Sequence, residues 1–128
     1  MRITSGRVAV MLAGATLIAL PAAAQAMDVA TFLAKASALQ AKGIFAVGSP
    51  DIALLKNEVV GAANAYRADI AADAAAKRRP RACPPPRDKS PVKSNDIIAS
   101  FQAIPAAQRG ISVKAAFYRF MDKRFPCR

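Results

Sequence analysis

Apolar residues recur at helical spacing in four separate stretches of this chain, and nowhere do they alternate with polar ones long enough to make a strand. In the first stretch Val29, Phe32, Leu33, Ala36 and Leu39 form one stripe, with Lys35 and Lys42 off it. Asp28 is placed to cap the first amides and Gly43 to take the left-handed conformation that closes a helix, so the pattern predicts a helix over 29–42. Ser49-Pro50-Asp51 then reads as a second helix start: a capping hydroxyl, a proline at the first helical position and an acid at the positive end of the dipole. Ile52, Leu55, Val59, Ala62, Tyr66 and Ile70 carry that stripe through a long helix over 50–76. Gly61 interrupts it, and with Ala62, Ala63 and Ala65 it offers either a low surface for another helix or plain alanine-rich filler. The intervening Ile44-Phe45-Ala46-Val47-Gly48 is apolar enough to be expected against the body.

Two shorter patterns follow. Ser94 or Asn95 is the expected cap of a helix with Ile97, Ile98, Phe101 and Ile104 on one face, ended by Pro105. A turn over 105–110 leads to Ser112, the expected cap of a last helix in which Val113, Ala116, Phe117, Phe120 and Met121 point inward while Lys114, Lys123 and Arg124 stay wet. The fold class is therefore all-α, a small bundle of about four helices.

The start of the chain lies outside that pattern. Arg2 and Arg7 precede an uncharged run from Val8 to Leu20, followed by Pro21 and a small-residue stretch ending Ala24-Gln25-Ala26. This is the order of a secretory signal peptide, with cleavage expected after Ala26. The uncharged run is too short for a bilayer-spanning helix, which needs about 20 apolar residues, so no transmembrane segment is expected in the mature chain. Residues 1–26 are thus read as the signal and 27–128 as one domain exported to the periplasm.

That compartment bears on the two cysteines, Cys83 and Cys127. Two buried free thiols or half a metal site are the alternatives to a disulfide. There is no His in the chain, and a lone cysteine pair 44 positions apart lacks the clustered ligands that zinc needs. An oxidising space favours the bond, which would staple the C-terminus to the entrance of the two-helix segment between them.

Between residues 77 and 95 the composition shifts to proline and positive charge, with Pro80, Pro84, Pro85, Pro86 and Pro91 favouring extended backbone. The whole chain has 19 Lys and Arg against 8 Asp and Glu; without Arg2 and Arg7 the balance is 17 against 8, or +9. Such a charge draws a protein to acidic surfaces and says nothing of its fold. Nucleic acid is a poor match, because an exported chain seldom meets it and no aromatics interleave with the cations for base stacking. Arg78, Arg79, Arg81 and Arg87 are the candidate partner-binding residues, set against the plainer reading of a solvated loop. No catalytic residue, cofactor site or metal site is assigned. Asp69 and Asp73 lie one turn apart, but an Asp73–Lys77 pair on an exposed face explains them better, and histidine, the commonest general base, is missing. The expectation is a protein that is not an enzyme.

Cys83-Pro84-Pro85, the helix from Ile97 to Ile104 with Pro105, the helix start Ser112-Val113-Lys114-Ala115-Ala116, and the closing Phe125-Pro126-Cys127 together resemble the Rap/Tai family of periplasmic immunity proteins. The resemblance covers the last third of the chain well and, before that, only the order of helices. It implies a helical protein, often a homodimer, that neutralises a peptidoglycan-cleaving amidase effector delivered by type VI secretion. Many members follow the first cysteine with a Pro-x-Gly turn, whereas this chain has Pro84-Pro85-Pro86-Arg87. Two other classes fit a small, stapled, exported helical protein: a periplasmic chaperone or stress protein, and a binder of the envelope surface acting through the basic loop. An acid-triggered chaperone needs many carboxylates to neutralise, and eight are few.

Overall fold

The computed structural model of the chain describes residues 26–128, so the expected signal peptide, apart from Ala26, lies outside the described residues. Four helices make the body: α1 Val29–Lys42, α2 Pro50–Ala75, α3 Ser94–Gln102 and α4 Val113–Arg124. Among the described residues there is no strand beyond a single antiparallel bridge between Asp28 and Ser112. Short 3-10 turns fill three of the connections, at Gly43–Ala46, Arg87–Lys89 and Ala106–Gln108.

The caps at the starts of α1, α2 and α4 are those the sequence predicts. Asp28 accepts from the Thr31 amide at 2.7 Å, Ser112 from the Ala115 amide at 3.1 Å, and Ser49 from the Asp51 amide at a longer 3.4 Å. At α3 the cap is Lys93, not Ser94 or Asn95. The Asp96 carboxylate reaches back to accept from the Lys93 amide at 2.8 Å, which draws the helix start one residue earlier. The first amides of α1 find partners far along the chain: Val29 donates to the Ile111 carbonyl and Ala30 to that of Arg109, each at 3.0 Å, while Val113 returns a bond to the Met27 carbonyl at 2.9 Å. The two ends of the domain are thereby sewn together where orphan helix amides would otherwise need water.

One core joins all four helices. Val29, Phe32 and Ala36 of α1, Leu55, Ala62 and Tyr66 of α2, Ile97 and Phe101 of α3, and Val113, Ala116, Phe117 and Met121 of α4 are buried together. Phe32 and Phe101 meet edge to face with centroids 5.3 Å apart, and Tyr66 meets Phe117 in the same way at 6.2 Å. Phe120, expected inside, is only partly buried at the rim. Gly61 is exposed, and a Cβ built on it would touch nothing within 4 Å, so it marks no close helix approach.

The largest departure is the connector between α1 and α2. It was expected against the body, yet Ile44, Phe45 and Val47 are 83%, 85% and 84% exposed, and only Ala46 turns in. The hairpin of two antiparallel helices carries its turn past the end of the bundle, beyond the reach of α3 and α4. Ile52, counted in the inward stripe, is also exposed, since it lies only two residues into α2 and beside that turn.

Candidate protein-binding surface

The proline-rich segment from residue 77 to 93 is a strap laid along α2 and α4. Its left-handed entry is Lys77, at φ 54°, immediately after α2 ends. That turn removes Lys77 from the helical register, so Asp73 pairs with Arg78 at 2.9 Å and not with Lys77 as expected. Further along, Arg67 of α2 donates to the Pro85 carbonyl at 3.0 Å, and Arg87 donates to Asn64 Oδ1 at 2.6 Å. The Cys83–Cys127 disulfide is formed, and the Cys83 amide donates to the Phe125 carbonyl at 2.8 Å beside it. The strap is held at several points along its length, and Arg78, Arg81 and Arg87 are held with it.

Arg81 is the most constrained of them. Its guanidinium binds Asp122 of α4 through two nitrogens, at 2.9 and 2.7 Å, and lies over the rings of Tyr118 and Tyr66, 4.6 and 5.6 Å from their centroids. Tyr66 donates to the same Asp122 at 2.8 Å, and Tyr118 donates to Asp69 at 2.7 Å. The Arg81 hydrogen bonds hold the Asp122 carboxyl below its ordinary range. Burial, with the bond to Asp69 adding to it, pushes the Tyr118 hydroxyl up to about 12. Burial raises Tyr66 too, with the Asp122 bond in second place. This cluster is a structural clamp between α2, α4 and the strap.

Three of the four arginines nominated from sequence are engaged by other groups of the same chain. Arg78 and Arg81 are taken up by carboxylates of the same chain, Arg87 is tied to an amide, and only Arg79 makes no ion pair or side-chain hydrogen bond among the described residues. Asp69 and Asp73, weighed as an acid/base pair, are engaged with Tyr118 and Arg78. Asp28, Asp51, Asp96 and Asp122 likewise accept hydrogen bonds, so six of the eight carboxylates have structural partners. Among the described residues no group of three or more His, Cys, Asp or Glu is placed to hold a metal ion, and no helix is long and apolar enough to cross a membrane.

No family model, curated protein or solved structure matches this chain. The most distinctive part of the surface is the turn between α1 and α2. Three large apolar side chains stand in water there on an ordered backbone. Val47 donates to the Ile44 carbonyl at 3.4 Å and Ser49 to that of Ala46 at 2.9 Å. Gly43 at φ 53° and Gly48 at φ 85° supply the two positive-φ corners that bracket the turn. Just below it, Lys35 of α1 bonds Asp51 of α2 at 2.9 Å and locks the hairpin. Clustered exposure of this kind makes the turn a candidate interaction site, since surface apolar residues are more often scattered singly. Sequence reasoning missed it because an apolar run reads as buried. The missed signal was the pair of glycines on either side, which make a tight reversal with no room to fold its side chains back.

Proposed function

We propose that this is a periplasmic immunity-like protein that binds a secreted peptidoglycan amidase stoichiometrically and blocks it, with the Ile44-Phe45-Val47 knob as its anchor. The observation that carries the reading is the knob: three large apolar side chains, almost wholly exposed, on a hydrogen-bonded turn at the end of a helical hairpin. An anchor already in its bound shape loses little conformational freedom on docking, so burial of its apolar surface contributes more fully to affinity. Aromatic and aliphatic anchors in a recessed partner site are the usual centres of tight interfaces. A cleft that binds a peptidoglycan strand is a recess of the right kind for such a knob. The net charge of the exported chain, +9, favours an acidic partner and speeds encounter with it. The resemblance of the Cys83–Cys127 region to periplasmic immunity proteins supports the same conclusion, as does a disulfide suited to an oxidising compartment.

The test is a binding titration against the secreted amidase encoded nearest to this chain's gene, with peptidoglycan hydrolysis as the second readout. A 1:1 complex and loss of hydrolysis are expected. The triple variant Ile44→Ser, Phe45→Ser, Val47→Ser should bind at least about a hundredfold more weakly, as loss of a central anchor does, with its helical circular dichroism unchanged. No complex with the amidase, or capture of phosphatidylglycerol vesicles in its place, would overturn the reading.

A further inference from the structure

Beside the knob, and separate from it, the three helices α1, α2 and α3 part to leave an open groove of about 540 Å³. Its walls are Phe32 and Leu39 of α1, Ile52, Val59 and Val60 of α2, and Ile98 of α3, among other apolar residues. Ile52 and Val60 are 44% and 41% exposed within it, so the lining is in contact with solvent and not closed over. Its only charged lining residues are Lys56 of α2 and Lys93 at the end of the strap. Neither makes an ion pair among the described residues, and no carboxylate lines the groove.

The geometry points to a binding site for a long-chain fatty acid, its acyl chain laid along the groove and its carboxylate met by Lys56 and Lys93. Volume and chemistry both select that class. A space of this size lies within the roughly 300–1,000 Å³ range of small-ligand sites. The lining carries positive charge only, two lysines among mainly apolar residues, and the matching ligand has one anionic end and a long apolar remainder. The residues of this chain outside the described part, 1–25, carry Arg2 and Arg7 and no acid, so they have the wrong charge to complement the lysines. A second copy brings its own large positive charge to the same place, which opposes pairing through this face. The site is independent of the amidase reading, since it uses neither the knob nor the strap arginines.

Calorimetric titration of the exported, oxidised chain with myristate tests it. Saturable 1:1 binding is expected, with myristyl alcohol binding about tenfold more weakly, the effect of losing one charge-assisted contact of about 1.4 kcal/mol. The double variant Lys56→Gln, Lys93→Gln should lose that preference, while Lys114→Gln, Lys123→Gln on α4 should keep it. Val60→Trp fills the groove from a partly exposed position and should abolish binding with the helical signal intact. Absence of saturable myristate binding, equal affinity for the alcohol, binding that survives Val60→Trp, or tighter binding of lysophosphatidylglycerol than of myristate would each overturn the proposal. So would a dimer in sedimentation that Val60→Trp converts to monomer, since a second copy would then be the occupant.

Discussion

Arg81 and Asp122, 41 positions apart in sequence, form a two-pronged ion pair that closes at 2.7 Å and fastens the strap to α4. The pair is at the rim, each side chain about a third exposed, so its value comes from the hydrogen bonds and the two tyrosine rings more than from bare Coulomb attraction. Replacement of Arg81 by Ala should cost about 1–2 kcal/mol, read as a lower urea midpoint. The Arg81→Ala, Asp122→Asn double variant should cost clearly less than the sum of the singles.

Acid should act on the same pair. The Asp122 carboxyl has its pKa lowered in the folded chain, so it contributes stability above the ordinary carboxylate value of 3.8 and loses it as pH falls through the lowered one. Urea midpoints at neutral and strongly acidic pH should therefore differ less in Asp122→Asn than in the parent chain.

At the alkaline end the sign reverses. The folded Tyr118 hydroxyl titrates at about 12 against 10.0 for a free one, so its contribution is complete below pH 10.0 and disappears as pH approaches 12. Tyrosinate absorbance in the native chain should rise late, and Tyr118→Phe should flatten stability across that window.

The disulfide closes a loop with a sequence separation of 44, for which the expected contribution is about 2–4 kcal/mol. In Cys83→Ser, Cys127→Ser, hydrogen exchange should accelerate first in the last turn of α4, while the middle of α2, buried at Ala62 and Tyr66, stays protected.

Knob and core should separate cleanly in stability. Serine at Ile44, Phe45 or Val47 should change unfolding free energy by no more than about 0.5 kcal/mol, because those side chains are in water in both states. Phe101→Ala, at a fully buried ring that packs on Phe32, should cost about 3–5 kcal/mol.

The local order of this protein was legible in its sequence. Helical periodicity located four helices, and Asp28, Ser49 and Ser112 marked three of their starts, because a cap and a 3.6-residue stripe act within a few residues of one another. The disulfide followed from the cysteine count, the absence of His and the expected export of the chain. Tertiary structure decided what each exposed group does. Arg81 reads as a free cation until α4 brings Asp122 beneath it, Tyr66 reads as core until folding pairs its hydroxyl with Asp122, and Tyr118 acquires its Asp69 partner only in the folded chain. Ile44, Phe45 and Val47 are as apolar as any core residue, and the flanking Gly43 and Gly48 signal a tight reversal but not whether another helix will cover it. Burial depends on which elements meet in space, and here the hairpin extends its turn beyond the helices that could have packed against it.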